Sequence, residues 1–313
     1  MSIVNTVALS TEKPFFNTLR RYPPGPVLDF LTAAREHELD SGFREEWLQQ
    51  SKAHRELLAD TITQRQGPLA ARDIALRYEE FRLRVRPLLL VLMTLYMNSD
   101  GFLHDRVIIE NRELLVRSQR TGRPLVLAGT HFGLYVGLGI ALATLGHRVT
   151  GVLARYEKPL IDDLLETYCP KGRANLTLVS VPDRWVLVRC RNALRRGDHV
   201  AIGMEASEAE TPPKVTLEFL GHQVRAPEGP AYLASVTGAD LVLAVSICRE
   251  GPSRARLILD DPIRVERGRQ GVAAGIRKLW QRLEYYVSTY PDQWVGWELM
   301  PNKMMVTPSG LPV

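Results

Sequence analysis

The sequence predicts an α/β fold in which a mainly parallel central sheet carries helices on both faces and is preceded by an N-terminal helical region. Three observations carry this reading. From about Pro26 to Arg120, apolar residues recur at three- and four-residue spacing with charges between them, the period of amphipathic helices. After Pro124 the rhythm changes to short β-rich runs alternating with helical segments, the pattern of βα units whose strands pair in parallel. Between the two regimes stands Thr121-Gly122-Arg123-Pro124, a turn-forming group. The chain therefore divides into a helical region over 1–120, an α/β domain over 121–300 and a C-terminal tail over 301–313.

In the helical region, residues 36–62 and 72–97 each read as helix, and Gly67-Pro68 separates them. A third helix is predicted over 104–120. The longest apolar run, LLLVLMTLYM at 88–97, is about half of the ~20 residues that a membrane-crossing helix needs, so it reads as a buried helix. The α/β domain opens with the strand LVLAG (125–129), a helix from about 134 to 145, the strand HRVTGVL and a helix around LIDDLLETYC. LTLVSV follows as strand, WVLVRCRNALRR as helix, then the strands HVAIGM and KVTLEFL and a short helix around GPAYLASVTG. The strands LVLAVSI and ARLILD and a long helix from about Gly271 to Thr289 complete it. Turn residues fall where these elements need them, as in Arg196-Gly197-Asp198 after a helix.

Composition narrows the function classes. A chain of 313 residues with 45% hydrophobic content supports one large α/β domain with a helical extension. The net charge of +5 is spread along the chain, a mild tilt toward anionic partners and not a nucleic-acid-binding tail. Cys169, Cys190 and Cys248 show neither CxxC nor Cys/His ligand spacing, which argues against a zinc site and a disulfide framework. Each lies in an apolar setting that favours a structural role and a raised thiol pKa. With no signal peptide in MSIVNTVALSTEKPFF, the expected compartment is the cytoplasm.

The chemistry concentrates in GTHFGLYVGLG, residues 129–139, where a strand runs into His131 and then into a small-residue helix start. Open α/β sheets build their sites at the carboxyl ends of strands, which is where this imidazole falls. A histidine that accepts a proton from a hydroxyl or amine works best beside a carboxylate that fixes its tautomer and stabilises the imidazolium. Val136 cannot serve. Glu205 follows a strand that should end on the same side as His131, although Glu205, Glu208 and Glu210 read equally as a solvated acidic loop. Glu218 lies in VTLEF, where alternation makes it solvent-facing unless it is a buried functional carboxylate. Arg184, Arg191 and Arg195 share one stripe of a helix, either a docking face for an acidic carrier or a tRNA backbone, or simply a solvated face. His222 sits on a hairpin turn as a weaker candidate than His131.

The block at 131–136 resembles the histidine motif of the bacterial lipid A late acyltransferases, roughly H-x-G-N-W-E, with His131 and Gly133 kept and the acid replaced by Val136. The likeness continues in order through GVLARYEKP with Arg155, the Asn192–Gly197 turn, VAIGMEASEAE with Glu205, LEFLGHQVRAPEGPAYLASVTGA, and Pro291, Gln293 and Trp294. The resemblance implies a glycerolipid acyltransferase-like fold and His131 as general base, with Glu205 replacing the missing acid. Arg155, Gly133, Tyr135 and Glu218 are expected to contact substrate. No bound cofactor or metal is implied; the acyl donor rides on phosphopantetheine or on tRNA. The expected enzyme moves an acyl or aminoacyl group from an acyl carrier protein thioester or an aminoacyl-tRNA to a small-molecule acceptor, in keeping with specialised metabolism, and membrane contact is not required. The alternatives are a membrane-surface glycolipid acyltransferase and a non-catalytic binding or scaffold descendant of the fold.

Overall fold

The computed structural model describes residues 10–205, 215–249 and 254–300. Glu208, Glu210 and the tail over 301–313 lie outside the described residues. The described part of the N-terminal region up to residue 106 is built of helices: α1 (Lys13–Leu19), α2 (Pro24–Glu38), α3 (Arg44–Gln50), α4 (Lys52–Gln66), α5 (Pro68–Glu80), α6 (Arg86–Tyr96) and α7 (Asp100–Arg106). The run over 36–62 is not one helix. It breaks at Gly42, whose φ of 101° a side-chain-bearing residue would resist, and again at Ser51. Gly67, with φ 93°, turns the chain between α4 and α5 as expected.

The segment over 104–120 differs more. Its VIIE is strand β1 (Val107–Glu110), followed by α8 (Glu113–Thr121), which stops on left-handed Gly122. Three successive apolar residues, two of them isoleucine, suit a pleated strand better than a helix once a partner strand is available. That partner is distant in sequence, so local periodicity does not reveal it.

Next come β2 (Leu125–Gly129), α9 (Gly137–Thr144), β3 (Val149–Ala154), α10 (Lys158–Tyr168), α11 (Pro170–Asn175), β4 (Leu176–Val181), α12 (Val186–Arg195) and β5 (His199–Gly203). A hairpin of β6 (Val215–Phe219) and β7 (His222–Ala226) precedes α13 (Gly229–Thr237), β8 (Asp240–Arg249), β9 (Arg254–Leu259) and α14 (Arg269–Thr289). The seven-stranded sheet has the order β1-β9-β8-β2-β5-β3-β4, and only the β8–β9 pair is antiparallel. The hairpin β6–β7 forms a separate two-stranded sheet. The fold is α/β, a mostly parallel sheet with helices around it and helices before it.

Alternate residues of the central strands feed two cores, as a doubly covered sheet requires. Leu125 and Leu127 pack with α2, α6, α9 and α10, while Val126 and Ala128 pack with α12, α13 and α14. The apolar run of α6 is buried, with Leu88, Leu89, Val91, Leu92, Met93 and Leu95 all under 5% exposed. Among the described residues, no helix is long and apolar enough to cross a membrane.

Candidate active site

Strand register builds the site. β2 and β5 are parallel neighbours with Gly129 opposite Gly203, and the pairing continues one step further through the Met204 N–H to the Gly129 carbonyl, 3.0 Å. Two residues beyond each strand, His131 and Glu205 come level. The Nδ1 of His131 lies 2.6 Å from Oε2 of Glu205, and the backbone N–H of His131 donates to the same oxygen at 2.6 Å. Glu205 is fully buried, whereas the imidazole keeps 21% of its surface exposed. An ionised carboxylate only accepts hydrogen bonds, so Nδ1 carries the proton and Nε2 keeps its lone pair. Burial works against a charged imidazole, but the charge and hydrogen bond of Glu205 outweigh it, and the His131 pKa is raised above its ordinary 6.5.

A segment after α14 straps this pair in place. The Val295 N–H donates to the His131 carbonyl at 2.7 Å, and the Gly133 N–H donates to the Gln293 carbonyl at 3.1 Å, so Phe132 and Trp294 pair as an antiparallel bridge. The Gln293 side chain continues the edge of β8, accepting from the Cys248 N–H at 2.8 Å and donating to its carbonyl at 3.0 Å. Trp294 then donates its indole N–H to Oε1 of Glu205 at 2.6 Å. An ion pair from Arg82 to Glu298 ties the strap to the helical region.

Tyr135 packs its ring against His131, with centroids 4.8 Å apart, and Arg86 stands over the other aromatic neighbour of this pair, 5.4 Å from the Tyr135 centroid. Arg86 also donates Nε to the Gly133 carbonyl at 3.3 Å. Burial raises the Tyr135 phenol pKa against the opposing pull of Arg86, and burial lowers that of Arg86. Beside the histidine turn opens an apolar groove enclosing about 460 Å³, its open mouth included. One stripe of α6 and its C-terminal cap lines it with Leu90, Met93 and Met97 at helical spacing, together with Val136, Ile140 and Leu165. Val136 is thus part of the groove wall.

The other residues singled out from sequence take different partners. Arg155, exposed beyond β3, is fixed to the next strand by its N–H to the Val181 carbonyl at 2.8 Å and its guanidinium to the Pro182 carbonyl. Glu218 is solvent-exposed on β6 opposite Gln223, because Val215, Leu217 and Phe219 take the buried face; it is not brought to His131. Arg184 and Arg195 are exposed, Arg191 is half-buried, and Arg184 leans over the Trp185 ring. His222 Nε2 is within 3.3 Å of the Thr61 hydroxyl. All three cysteines are buried and free, and burial pushes the thiols of Cys190 and Cys248 up to about 11 and about 12. Sequence reasoning missed Trp294 as a partner of the carboxylate and Arg86 as a neighbour of the site. For Arg86 the available signal was its place one turn before the apolar stripe of α6.

Residues 81–297 match the family model described as bacterial lipid A biosynthesis acyltransferase. The chain belongs to that family. No curated protein matches the chain. The lipid A acyltransferase match takes in α6, the whole central sheet, the histidine turn and the strap, so every element that positions His131 falls within it.

Proposed function

We propose that the protein transfers an apolar acyl group from a carrier thioester to a hydroxyl or amine, with His131 as general base and Glu205 as its orienting acid. The observation that carries this reading is the 2.6 Å contact between Nδ1 of His131 and the buried Glu205 carboxylate, which directs the basic Nε2 away from the pair. Nε2 removes the proton of the acceptor as its oxygen or nitrogen attacks the thioester carbonyl. The C–S bond then breaks, and the imidazolium returns its proton to the departing thiolate. Glu205 holds the tautomer of the ring and stabilises the imidazolium.

The groove supports an acyl over an aminoacyl donor. Its walls are mostly methionine, leucine, isoleucine and valine side chains with Thr94 and Cys169 among them, and seating an ammonium group there would strip it of water with no carboxylate to compensate. Arg184, exposed in the turn before α12, and Arg195, exposed at the end of α12, supply the positive charge to which an acidic acyl carrier protein is proposed to dock, with the half-buried Arg191 between them in the chain. Steep weakening of carrier binding with salt is the expected mark of that contact.

The test is thiol release from fatty acyl thioesters of graded chain length in the presence of candidate acceptors. Wild-type protein should release thiol and His131→Ala should not, with circular dichroism showing both folded. Equal release by the two proteins would overturn the reading.

A further inference from the structure

The Glu205 carboxylate is buried completely, yet among the described residues no lysine or arginine pairs with it. Its charge is met by dipoles. Oε2 receives the His131 ring and backbone N–H, and Oε1 receives the Trp294 indole, each at 2.6 Å. The indole cannot turn away. Trp294 is 0% exposed, and its ring meets Phe219 edge-on at 5.5 Å and Trp297 at 4.9 Å. Its backbone bridges Phe132, the residue after the histidine. The same segment therefore fixes the height of the imidazole and the charge distribution of the acid beneath it.

We propose that Trp294 is a positioning residue that sets the basicity of His131 by drawing carboxylate charge onto Oε1. The proposal builds on His131 as the base but concerns its proton affinity, so it stands or falls without a substrate. A hydrogen bond to one oxygen of an ionised carboxylate withdraws charge from the other. Without the indole N–H, more charge resides on Oε2, the imidazolium is better stabilised, and His131 titrates higher. A base held protonated at neutral pH cannot accept a proton. Glu157 also pulls this ring upward and Arg86 pulls it down, and against that background Trp294 keeps in check the larger upward pull of Glu205.

The experiment is a titration of the His131 ring by 15N and 1H NMR in the full-length protein, its resonance assigned with His131→Gln. Trp294→Phe removes the donor while keeping an aromatic ring in the packing, at the cost of a cavity where the second ring stood. Its His131 pKa should rise by roughly half a unit or more, the scale of a modest fraction of a charge-assisted hydrogen bond. Glu205→Gln should move it the other way. An unchanged or lowered pKa in folded Trp294→Phe overturns the proposal. Should that variant fail to fold, the wild-type indole N–H resonance decides: it must be assigned by its loss from the shifted region in Glu205→Gln and must follow the His131 titration. An indole signal indifferent to that titration overturns the proposal as well. Loss of thiol release in His131→Ala bears on the reaction, not on this coupling.

Discussion

Gly133 and Ser246 meet where the histidine turn crosses β8, and only a glycine fits between them. A Cβ at Gly133 would stand 3.1 Å from the Ser246 carbonyl carbon and closer still to its oxygen, and Gly133 holds φ at +49°. The neighbouring Leu134 N–H donates to the Ser246 hydroxyl at 3.3 Å, so the turn cannot lift away without breaking that bond. Gly133→Ala combines backbone strain with a clash against main chain, and it should lower the unfolding free energy by about 3 kcal/mol. Urea denaturation measures this; an unaltered midpoint would show that the turn has room to relax.

Val136→Glu tests whether a local acid can serve the histidine in this chain. Val136 faces the groove, so the new carboxylate would be placed among Leu90, Met93 and Ile140. Glu205 already occupies Nδ1. The expected outcome is a raised KM for long-chain acyl thioesters with no gain in kcat, and a stability loss of about 2 kcal/mol from desolvating the new group. A higher kcat with unchanged KM would mean that Val136 has access to the ring.

The dyad also predicts a pH profile. Because the His131 pKa is raised above 6.5, kcat/KM should fall on acidification through an apparent pKa above that value. Glu205→Gln removes the main cause of the rise and leaves burial and Arg86 lowering the pKa against the smaller pull of Glu157, so the acidic limb should move to lower pH. The maximal rate should fall about 10³-fold, since the tautomer is no longer enforced. A rate profile with the same limb in both proteins would remove Glu205 from the mechanism.

His199 carries the opposite pKa shift and makes stability depend on pH. Its ring is 4% exposed and Nδ1 accepts the Leu125 N–H at 3.1 Å, while burial, with nearby His147 adding to it, lowers its pKa to about 4. Between pH 4 and 6.5 the unfolded chain binds a proton at this position that the native chain refuses. Stability is therefore whole above pH 6.5 and declines as pH falls toward 4, by up to roughly 3 kcal/mol. Unfolding midpoints across this range should show the slope in wild type and a shallower one in His199→Asn.

The sequence makes plain whatever depends on neighbours along the chain. LVLAG, HVAIG and LVLAVSI read as strands because apolar β-formers run between turn residues, and Gly67-Pro68 and Gly122 mark real ends of helices. VIIE at 107–110 escaped because its reason for being a strand is β9, almost the length of the domain away. Glu205 was selected because its strand should end on the same edge as His131, but only the adjacency of β2 and β5 brings the two within hydrogen-bonding distance. Nothing local announces that Trp294 turns its indole toward that carboxylate. The acid at position 136 in the resembled motif is an i+5 relation readable by spacing, whereas the arrangement here is a register relation between strands.

That register has a consequence for how the protein acquires its chemistry. The partners of the dyad are 74 residues apart in the chain, and the indole is 89 residues beyond the acid. No single helix, hairpin or βα unit contains two of the three groups. The competent base comes into being only when long loops have closed and β2 lies beside β5, steps that are slow because their entropy is lost before their contacts form. Recovery of turnover on refolding would then mark completion of the sheet, well after helical signal has returned, and fragments divided between the two strands would be inert apart and active on reassociation.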